Sequence, residues 1–197
     1  MKIFLVLFAL LTIFTNSKAQ NNMEKVNSII QTVKEKFAPD KRVALFNIEA
    51  AESGDNIIIK GETNLPEAKS EFVKNMKEAG LTFKDDIEML PSKVLGNKIY
   101  GVINLSVANF RAKPDHPAEL ATQAILGTPV KVFKKGEDGY YTVQTPDGYI
   151  SWLDDDGSPF MTEDQWNEWR SSPKIIYTNE YGFSYSETDV NSQTVSD

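Results

Sequence analysis

Residues 97–153 alternate between short apolar segments and turns that contain glycine. The segment GTPVKVFKK places Val130 and Val132 on one side of an extended chain and Lys131 on the other. The tripeptides EDG and PDG then separate this segment from YYTVQT and YISWL. Because Asp-Gly dipeptides favour the tight turns of antiparallel hairpins, the pattern predicts a small all-β barrel over these residues.

One part of this region does not fit a tight hairpin. The segment VANFRAKPDHPAELATQAI, from Val107 to Ile125, is too long for the two- to five-residue loops of such hairpins. We therefore predict a wide loop that leaves the barrel and returns to it.

Residues 20–92 have a different pattern, which predicts a small α+β domain. The segment MEKVNSIIQTVKEKF has apolar residues at helical spacing, namely Met23, Val26, Ile29, Ile30, Val33 and Phe37. The segments RVALFNIEA and NIIIKGE, with a turn between them, predict a hairpin over residues 43–62. A second helix and the segment DIEMLP follow, so the predicted order is helix, strand, strand, helix, strand.

The second helix of this domain has recognisable ends. Asn64 is a candidate N-cap, Pro66 suits the first turn, and Glu67 is placed to complete a capping box. Gly80 is a suitable C-terminal residue. The side chains expected to face the core are Ala68, Phe72, Val73 and Met76.

The first residues have the composition of an export signal. Lys2 precedes an apolar run over residues 3–14, and a polar stretch then leads through Lys18 to Ala19. This order predicts a secretory signal peptide over residues 1–19, cleaved after Ala19. The apolar run is too short to cross a hydrocarbon core, which needs about 20 residues. We therefore expect an exported protein, periplasmic or extracellular, without a membrane anchor.

Charge and cysteine content exclude several functions. The net charge is −7, and removal of the predicted signal with its two lysines makes it −9. An acidic surface repels phosphate backbones, so we expect no nucleic-acid partner. The sequence contains no cysteine, which excludes a thiol nucleophile, a thiolate metal site and a disulfide within this chain.

The α+β region resembles the small domains named for bacterial osmotic and nodulation proteins. The strand-to-helix segment KGETNLPEAKSEFVKNMKEAG carries the resemblance. It implies a surface-binding module. The same apolar residues also suit an ordinary core, and the many charged residues of both helices suit a solvated face, so the role of this domain stays open.

The barrel region resembles a more specific family. VANFRAKPDHPAELATQAILGTPVKVFKKGEDGYYTVQTPDGYISWL is similar to the first bacterial SH3-like domain of secreted cysteine peptidases of the NlpC type. The parts FRAKPDHPAEL, LGTPV and DGYISW carry this resemblance together. The preceding α+β region and the signal peptide are also similar to Bacteroidetes-type members. In that family the domain precedes a papain-like catalytic domain that cuts peptidoglycan stem peptides.

The resemblance implies a substrate-binding role for the long loop. In such enzymes the SH3-like domain walls one side of the cleft, where an acid and an aromatic residue hold the free amino group of the stem's terminal L-alanine. By motif position the acid is Glu119 and the aromatic residue is Tyr149, while Trp152 is assigned to barrel packing. A carboxylate pairs with an ammonium, and an aromatic face adds cation–π attraction. Without the resemblance, Glu119 would be interpreted as a solvated loop acid.

The sequence offers no complete catalytic or metal-binding set. His116 is the single histidine and has no thiol partner, and it supplies too few ligands for a transition metal. The run DDDG can be aligned with a calcium-binding loop, which places Asp154, Asp156 and Glu163 at ligand positions. Trp152 then occupies the first position, where a carboxylate is required. We therefore predict no catalytic residue, no cofactor and no metal in this chain.

Residues 154–173 are predicted to form an acidic loop and a connecting helix, with Thr162 as N-cap and Gln165 as its capping-box partner. The aromatic residues expected to pack this helix on the barrel are Phe160, Trp166 and Trp169. Residues 174–197 resemble the start of a second SH3-like domain, since YSETDVNSQ is weakly similar to RAKPDHPAE. So short a segment cannot bury a core of its own, and we expect the chain to be the front part of a longer protein.

Two functions are open at this point. The first is the non-catalytic front portion of a cell-wall cysteine peptidase, which positions the stem's free N-terminal L-alanine for a downstream catalytic domain. The family activity would then be that of a γ-D-glutamyl-L-diamino acid endopeptidase. The alternative is a free-standing exported module that binds the cell wall or an envelope component. In both cases the chain itself is not an enzyme, because it lacks the cysteine nucleophile.

Overall fold

A computed structural model describes residues 2–54 and 56–178, with side chains from residue 20 onwards. The chain forms two compact units that divide between Met89 and Leu90. Each unit has its own sheet and its own cluster of buried apolar side chains. Within these described ranges, no helix is both long enough and apolar enough to cross a membrane.

The first unit contains two helices and a three-stranded sheet. Its elements are α1 (Lys2–Phe37), β1 (Phe46–Ser53), β2 (Asn56–Thr63), α2 (Pro66–Glu78) and β3 (Phe83–Met89). The central strand β2 pairs antiparallel with β1 and parallel with β3. The elements follow the order that the sequence predicts, and α1 extends back through the residues of the predicted signal peptide.

Both helices bury the faces that their apolar spacing predicts. The fully buried residues of α1 and α2 are Val26, Ile30, Val33, Ala68, Phe72 and Met76. Val73 is half-buried against the same core. The Phe72 ring meets Phe83 of β3 edge-on, with 5.9 Å between ring centroids. Burial of these apolar side chains holds the helices on the sheet, at roughly 25 cal/mol per Å² removed from water.

The prediction that Asn64 caps α2 is wrong. The N-cap is Leu65, whose side chain makes no capping hydrogen bond, and Glu67 therefore completes no capping box. The Oδ1 atom of Asn64 instead accepts a hydrogen bond from the backbone nitrogen of Leu45 at 2.8 Å. The amide of Asn64 thus joins the start of the helix to the chain before β1. Pro66 occupies the first turn of α2, as predicted.

The second unit is an antiparallel sheet of seven strands with one α-helix in its described part. The elements are β4 (Tyr100–Val102), β5 (Val107–Arg111), β6 (Leu120–Ile125), β7 (Pro129–Lys135), β8 (Tyr140–Gln144), β9 (Ile150–Asp154), β10 (Phe160–Met161) and α3 (Glu163–Ser171). The order across the sheet is β10-β4-β7-β8-β9-β5-β6. Single turns of 3₁₀ helix cover Lys93–Leu95 and Asp155–Gly157.

The turn tripeptides of the sequence form the predicted hairpins. Asp138 and Gly139 have φ values of 51° and 81° between β7 and β8, and two positive values in succession are typical of a type I′ hairpin turn. Gly148 has a φ of 89° between β8 and β9. The predicted all-β character of this region is therefore confirmed.

The prediction of a wide loop from Val107 to Ile125 is wrong. Most of this segment forms β5 and β6, which pair antiparallel with a bulge next to Arg111. Only residues 112–119 connect the two strands. We call these eight residues the hairpin loop.

Small and polar residues make these two strands difficult to recognise from the sequence. Ala108 and Phe110 of β5 and Ala124 of β6 are buried in the core, and two of these three positions carry only a methyl group. On the other face, Gln123 Nε2 donates to Asn109 Oδ1 at 2.8 Å. Phe110 is the one large apolar residue among these buried positions, so the alternation of apolar and polar residues that marks a strand is weak.

The helix α3 begins as the sequence predicts. Thr162 Oγ1 accepts from the Gln165 nitrogen at 3.3 Å, and Gln165 Oε1 accepts from the Thr162 nitrogen at 3.0 Å. These reciprocal bonds form the predicted capping box.

Aromatic stacking holds α3 against the sheet. Trp166 stacks on Tyr100 of β4, with 5.5 Å between ring centroids, so its predicted packing role is confirmed. Trp169 stacks on Trp166 at 5.2 Å. Phe160 belongs to β10, where it meets Tyr141 edge-on at 4.4 Å.

The predicted second SH3-like segment lies mainly outside the described residues. Residues 173–178 form neither helix nor strand. Residues 179–197 are not among those described.

Gly61 in β2 is constrained by both conformation and space. Its φ is +122°, and an added Cβ would collide with the Asn47 carbonyl oxygen and lie 2.8 Å from Ile48 Cα. We expect Gly61→Ala to lower the free energy of unfolding by about 2–6 kcal/mol, because backbone strain and overpacking each cost about 1–3 kcal/mol. Urea unfolding followed by circular dichroism measures this loss.

Gly80→Ala is the matched control for Gly61→Ala. Gly80 also has a positive φ, +69°, but an added Cβ would meet nothing within 4 Å. Its replacement should cost only the backbone strain, about 1–2 kcal/mol. Equal losses at the two positions would contradict the steric role assigned to the Gly61 backbone.

Candidate functional site

The hairpin loop is closed by backbone hydrogen bonds at its base. The Ala112 nitrogen donates to the Glu119 carbonyl oxygen at 2.9 Å, and the Ala118 nitrogen donates to the Asp115 oxygen at 3.0 Å. The Arg111 guanidinium adds a bond from Nη1 to the Ala118 oxygen at 3.1 Å. The loop is thus fixed at the residue that precedes Glu119.

Strand register places this loop at the same end of the sheet as the start of β9. Arg111 of β5 pairs with Leu120 of β6 on one side and with Trp152 of β9 on the other. The hairpin loop follows Arg111, and the turn before β9 precedes Trp152. Neighbouring strands lie about 4.8 Å apart, so the loop and this turn are separated by roughly two strand spacings across the sheet.

Glu119 lies at the end of the hairpin loop, immediately before β6. Its backbone is fixed by the bond from Ala112, while its side chain is exposed to solvent. An exposed carboxylate on a fixed backbone can pair with a cationic ligand without first losing buried partners.

Tyr149 lies in a tightly bonded turn between β8 and β9. The Thr145 nitrogen donates to the Tyr149 oxygen at 3.0 Å, and the Gly148 nitrogen donates to the Thr145 oxygen at 2.9 Å. Asp147 Oδ1 accepts from Thr145 Oγ1 at 2.5 Å and from the Tyr149 nitrogen at 3.3 Å. These bonds fix the Tyr149 backbone, and its side chain is half-buried.

The hydrogen bond from Thr145 lowers the pKa of the Asp147 carboxyl below its usual range, and the backbone bond from Tyr149 adds to this effect. Both donors favour the ionised carboxylate. The turn that carries Tyr149 is therefore most stable when Asp147 is charged.

Glu119 and Tyr149 are therefore brought to one end of the sheet from two different connections. Across the sheet their connections are roughly two strand spacings apart, and along the chain Tyr149 lies three residues before Trp152, the partner of Arg111. Their role as a binding pair stays a prediction.

Trp152 has the packing role that the sequence predicts. Its ring lies over Gly136, where an added Cβ would collide with it, and Lys134 Nζ lies 5.5 Å from the ring centroid. The ring is half-buried by these neighbours.

His116 makes contacts that the sequence did not indicate. Its Nε2 atom lies 3.6 Å from Asp154 Oδ2, although its side chain is 81% exposed. Its ring meets Tyr140 edge-on at 5.7 Å between centroids. Tyr140 and Asp154 are partners across β8 and β9, so the two contacts fall on one point of the sheet. The sequence predicts the β8–β9 hairpin that pairs Tyr140 with Asp154, but it does not predict that the hairpin loop lies beside this pair.

Tyr140 is a group near the hairpin loop whose pKa is shifted. Its side chain is 4% exposed, and its hydroxyl has no hydrogen-bond partner among the described residues. Burial raises its pKa, and the negative charge of Asp154 adds to this effect, while Arg111 opposes it. The Tyr140 phenol is therefore neutral at physiological pH.

The acidic run after β9 does not have the architecture of a calcium-binding helix–loop–helix. It passes from β9 through a 3₁₀ turn to β10, and Asp154 Oδ1 accepts from the Asp156 nitrogen at 3.2 Å. Carboxylate oxygens of Asp154, Asp155 and Asp156 lie within 4.8 Å of one another. A cluster of largely exposed carboxylates does not by itself define a metal site, and the expectation of no metal stays a prediction.

The first unit has an open groove of about 670 Å³ beside α2. It is lined by Pro66, Lys69, Ser70, Val73 and Met89. The Lys69 ammonium is occupied, because Nζ donates to the Ile87 oxygen at 2.8 Å and lies 3.1 Å from Asp85 Oδ2. The groove therefore lacks the convergent polar groups of a specific binding site, and the hairpin loop is the better candidate.

Comparison with protein families supports this choice. Residues 110–157 match the family model described as the bacterial dipeptidyl-peptidase Sh3 domain. The match begins in β5, includes the hairpin loop and Tyr149, and ends at the 3₁₀ turn after β9. The second unit therefore contains an SH3-like domain of this type, and the resemblance stated from the sequence is confirmed at this level.

Comparison with other proteins is less informative. Among solved structures, the chain is similar to the structure of NlpC2 from Trichomonas vaginalis, with 19% sequence identity and a TM-score of 0.29. The similarity covers 32% of this chain and 23% of that chain, so the chain spans about a quarter of that protein's length. No curated protein sequence matches the chain.

Asp147→Asn should test the turn that carries Tyr149. The change keeps an Oδ1 acceptor but removes the charge. Because the folded-state pKa of Asp147 is lowered, its contribution to stability is present above about pH 4 and is lost as the pH falls through the folded-state pKa. We expect the variant to melt below the wild type at about pH 7, with a smaller difference at about pH 3.

Thermal melts at the two pH values measure this difference. Glu137→Gln is the control, since it removes an exposed carboxylate from the neighbouring hairpin turn. A deficit in Asp147→Asn that does not shrink on acidification would contradict the role of the Asp147 charge.

Proposed function

We propose that the SH3-like domain binds the free N-terminal ammonium of a peptidoglycan stem peptide, with Glu119 as the anion and Tyr149 as the aromatic partner. The chain would present the terminal L-alanine to a catalytic domain of the NlpC type that lies outside these 197 residues. The observation that carries the proposal is the family match over residues 110–157, which includes both side chains.

The chemistry of the loop is consistent with this ligand. An ammonium needs an anion and hydrogen-bond acceptors, and Glu119 offers an exposed carboxylate on a backbone fixed by Ala112. An aromatic ring next to a cation adds about 0.5–2 kcal/mol. Tyr149 is held at the same end of the sheet by the Asp147 turn. The backbones of both residues are fixed by these bonds, which lowers the entropy cost of binding.

The same proposal includes the location and the partners. Residues 1–19 have the composition of a signal peptide, and stem peptides lie outside the cytoplasmic membrane, so we place the protein in the periplasm or outside the cell. Nucleic acid is not a proposed partner, because the chain is acidic.

A free-standing binding module is the second candidate. The observation that favours it is that the hairpin loop and the Tyr149 turn are each closed by hydrogen bonds within the second unit. In this case the same loop would bind stem peptide or another envelope component without delivering it to an enzyme. Both candidates share the ammonium site, so the first test concerns the site itself.

The test is calorimetric titration of the protein with the tripeptide L-Ala-γ-D-Glu-meso-diaminopimelic acid. We expect Glu119→Gln to weaken binding about ten- to hundredfold, because it removes the charge from a charge-assisted hydrogen bond worth about 1.5–3 kcal/mol. Tyr149→Leu should weaken binding less, by about two- to tenfold, because it removes only the cation–π attraction.

Two controls make the test specific. N-acetylation of the tripeptide removes the ammonium, so wild type and Glu119→Gln should then bind equally poorly. Glu137→Gln changes the net charge by the same amount but in another turn, and this variant should bind the tripeptide as tightly as the wild type does. Binding of the free tripeptide that is unaffected by Glu119→Gln would overturn the assignment of this residue.

A further inference from the structure

The hairpin loop is attached to the sheet at two separate points. Near its end, Arg111 Nη1 donates to the Ala118 oxygen at 3.1 Å, one residue before Glu119. At its middle, His116 Nε2 lies 3.6 Å from Asp154 Oδ2. The first attachment comes from β5 and the second from β9, so the loop is held from two strands.

His116 contacts two residues whose relative position is fixed by the sheet. The imidazole meets the Tyr140 ring edge-on at 5.7 Å, and Tyr140 is 4% exposed. Tyr140 and Asp154 are cross-strand partners in β8 and β9, so their relative position is fixed by the sheet. The Asp154 side chain is further oriented by the hydrogen bond from the Asp156 nitrogen.

Two groups of the sheet contact His116, namely Asp154 on β9 and Tyr140 on β8. Arg111 and Asp115 are charged neighbours of Tyr140, and Asp155 and Asp156 lie next to Asp154. The phenol of Tyr140 stays neutral, and Arg111 is bonded to the Ala118 oxygen. The ion pair with Asp154 forms only when the imidazole is protonated.

We propose that Arg111 and His116 are positioning residues that fix the hairpin loop and with it Glu119. The ligand in this inference is the one given by the proposed function, whereas the loop contacts are independent of it. Loss of either contact should loosen the loop and weaken ammonium binding at Glu119.

The two contacts differ in expected strength. Arg111 donates a hydrogen bond from a charged group to the Ala118 oxygen. The His116 side chain is 81% exposed, so solvent screens its contact with Asp154 and its contribution should be smaller.

Amide hydrogen exchange of Ala112 reports directly on loop closure, because its nitrogen donates to the Glu119 oxygen. At a single pH we expect Arg111→Met to lower its protection about ten- to hundredfold, because the change removes a hydrogen bond from a charged donor. His116→Gln should lower its protection about two- to fivefold.

Lys113→Gln is the matched control, because it changes the charge of the same loop at an exposed side chain. It should leave the protection of Ala112 unchanged. Wild-type protection in Arg111→Met or in His116→Gln would overturn the inference.

Tripeptide titration of the same variants separates this inference from the proposed function. Weaker tripeptide binding by Arg111→Met and His116→Gln than by the wild type supports both. Wild-type tripeptide affinity in both variants overturns the inference and leaves the proposed function intact. Lowered protection in the variants, without any tripeptide binding by the wild type, supports fixation of the loop and overturns the proposed function.

Discussion

The pairing of β5 with β6 on one side and with β9 on the other is the constraint on which the candidate site depends. It buries Ala108, Phe110 and Ala124 in one core, and it brings the ends of three strands to one end of the sheet. The short connection that results is closed by the Ala112–Glu119 hydrogen bond. A loop that simply left the sheet and returned would have no such closure. An exposed carboxylate is useful for specific binding only when its backbone is fixed in this way.

The groups that fix the site differ from those proposed to bind. Glu119 and Tyr149 offer side chains to a ligand, while Asp147, Arg111 and His116 bond to the backbone or to strands nearby. The supporting bonds are local, since each joins residues of one turn or of adjacent strands. This arrangement allows the ligand residues to be changed without unfolding the sheet, which is what a mutational test of the proposed function needs.

Features that depend on residues close together in the sequence were predictable. Contacts between residues far apart in the sequence were not. The spacing of Val26, Ile30 and Val33, the capping box of Thr162 and the EDG turn each need only a few residues to define them. The β5–β6 hairpin was missed because two of its three buried core positions, Ala108 and Ala124, are alanines. Asn64 bonded to Leu45 instead of capping its own helix, because a partner from another part of the chain was available. His116 had no assigned neighbour for the same reason, since Asp154 reaches it only through the sheet.

The central proposal is that Glu119 and Tyr149 hold a free N-terminal ammonium beside the neighbouring strands β9, β5 and β6. A crystal structure of the protein with L-Ala-γ-D-Glu-meso-diaminopimelic acid tests it most directly. The account predicts the alanine nitrogen within about 3.2 Å of a Glu119 carboxylate oxygen and within about 6 Å of the Tyr149 ring centroid. A tripeptide bound elsewhere, for example in the groove beside α2, or bound here through its carboxylates, would contradict it.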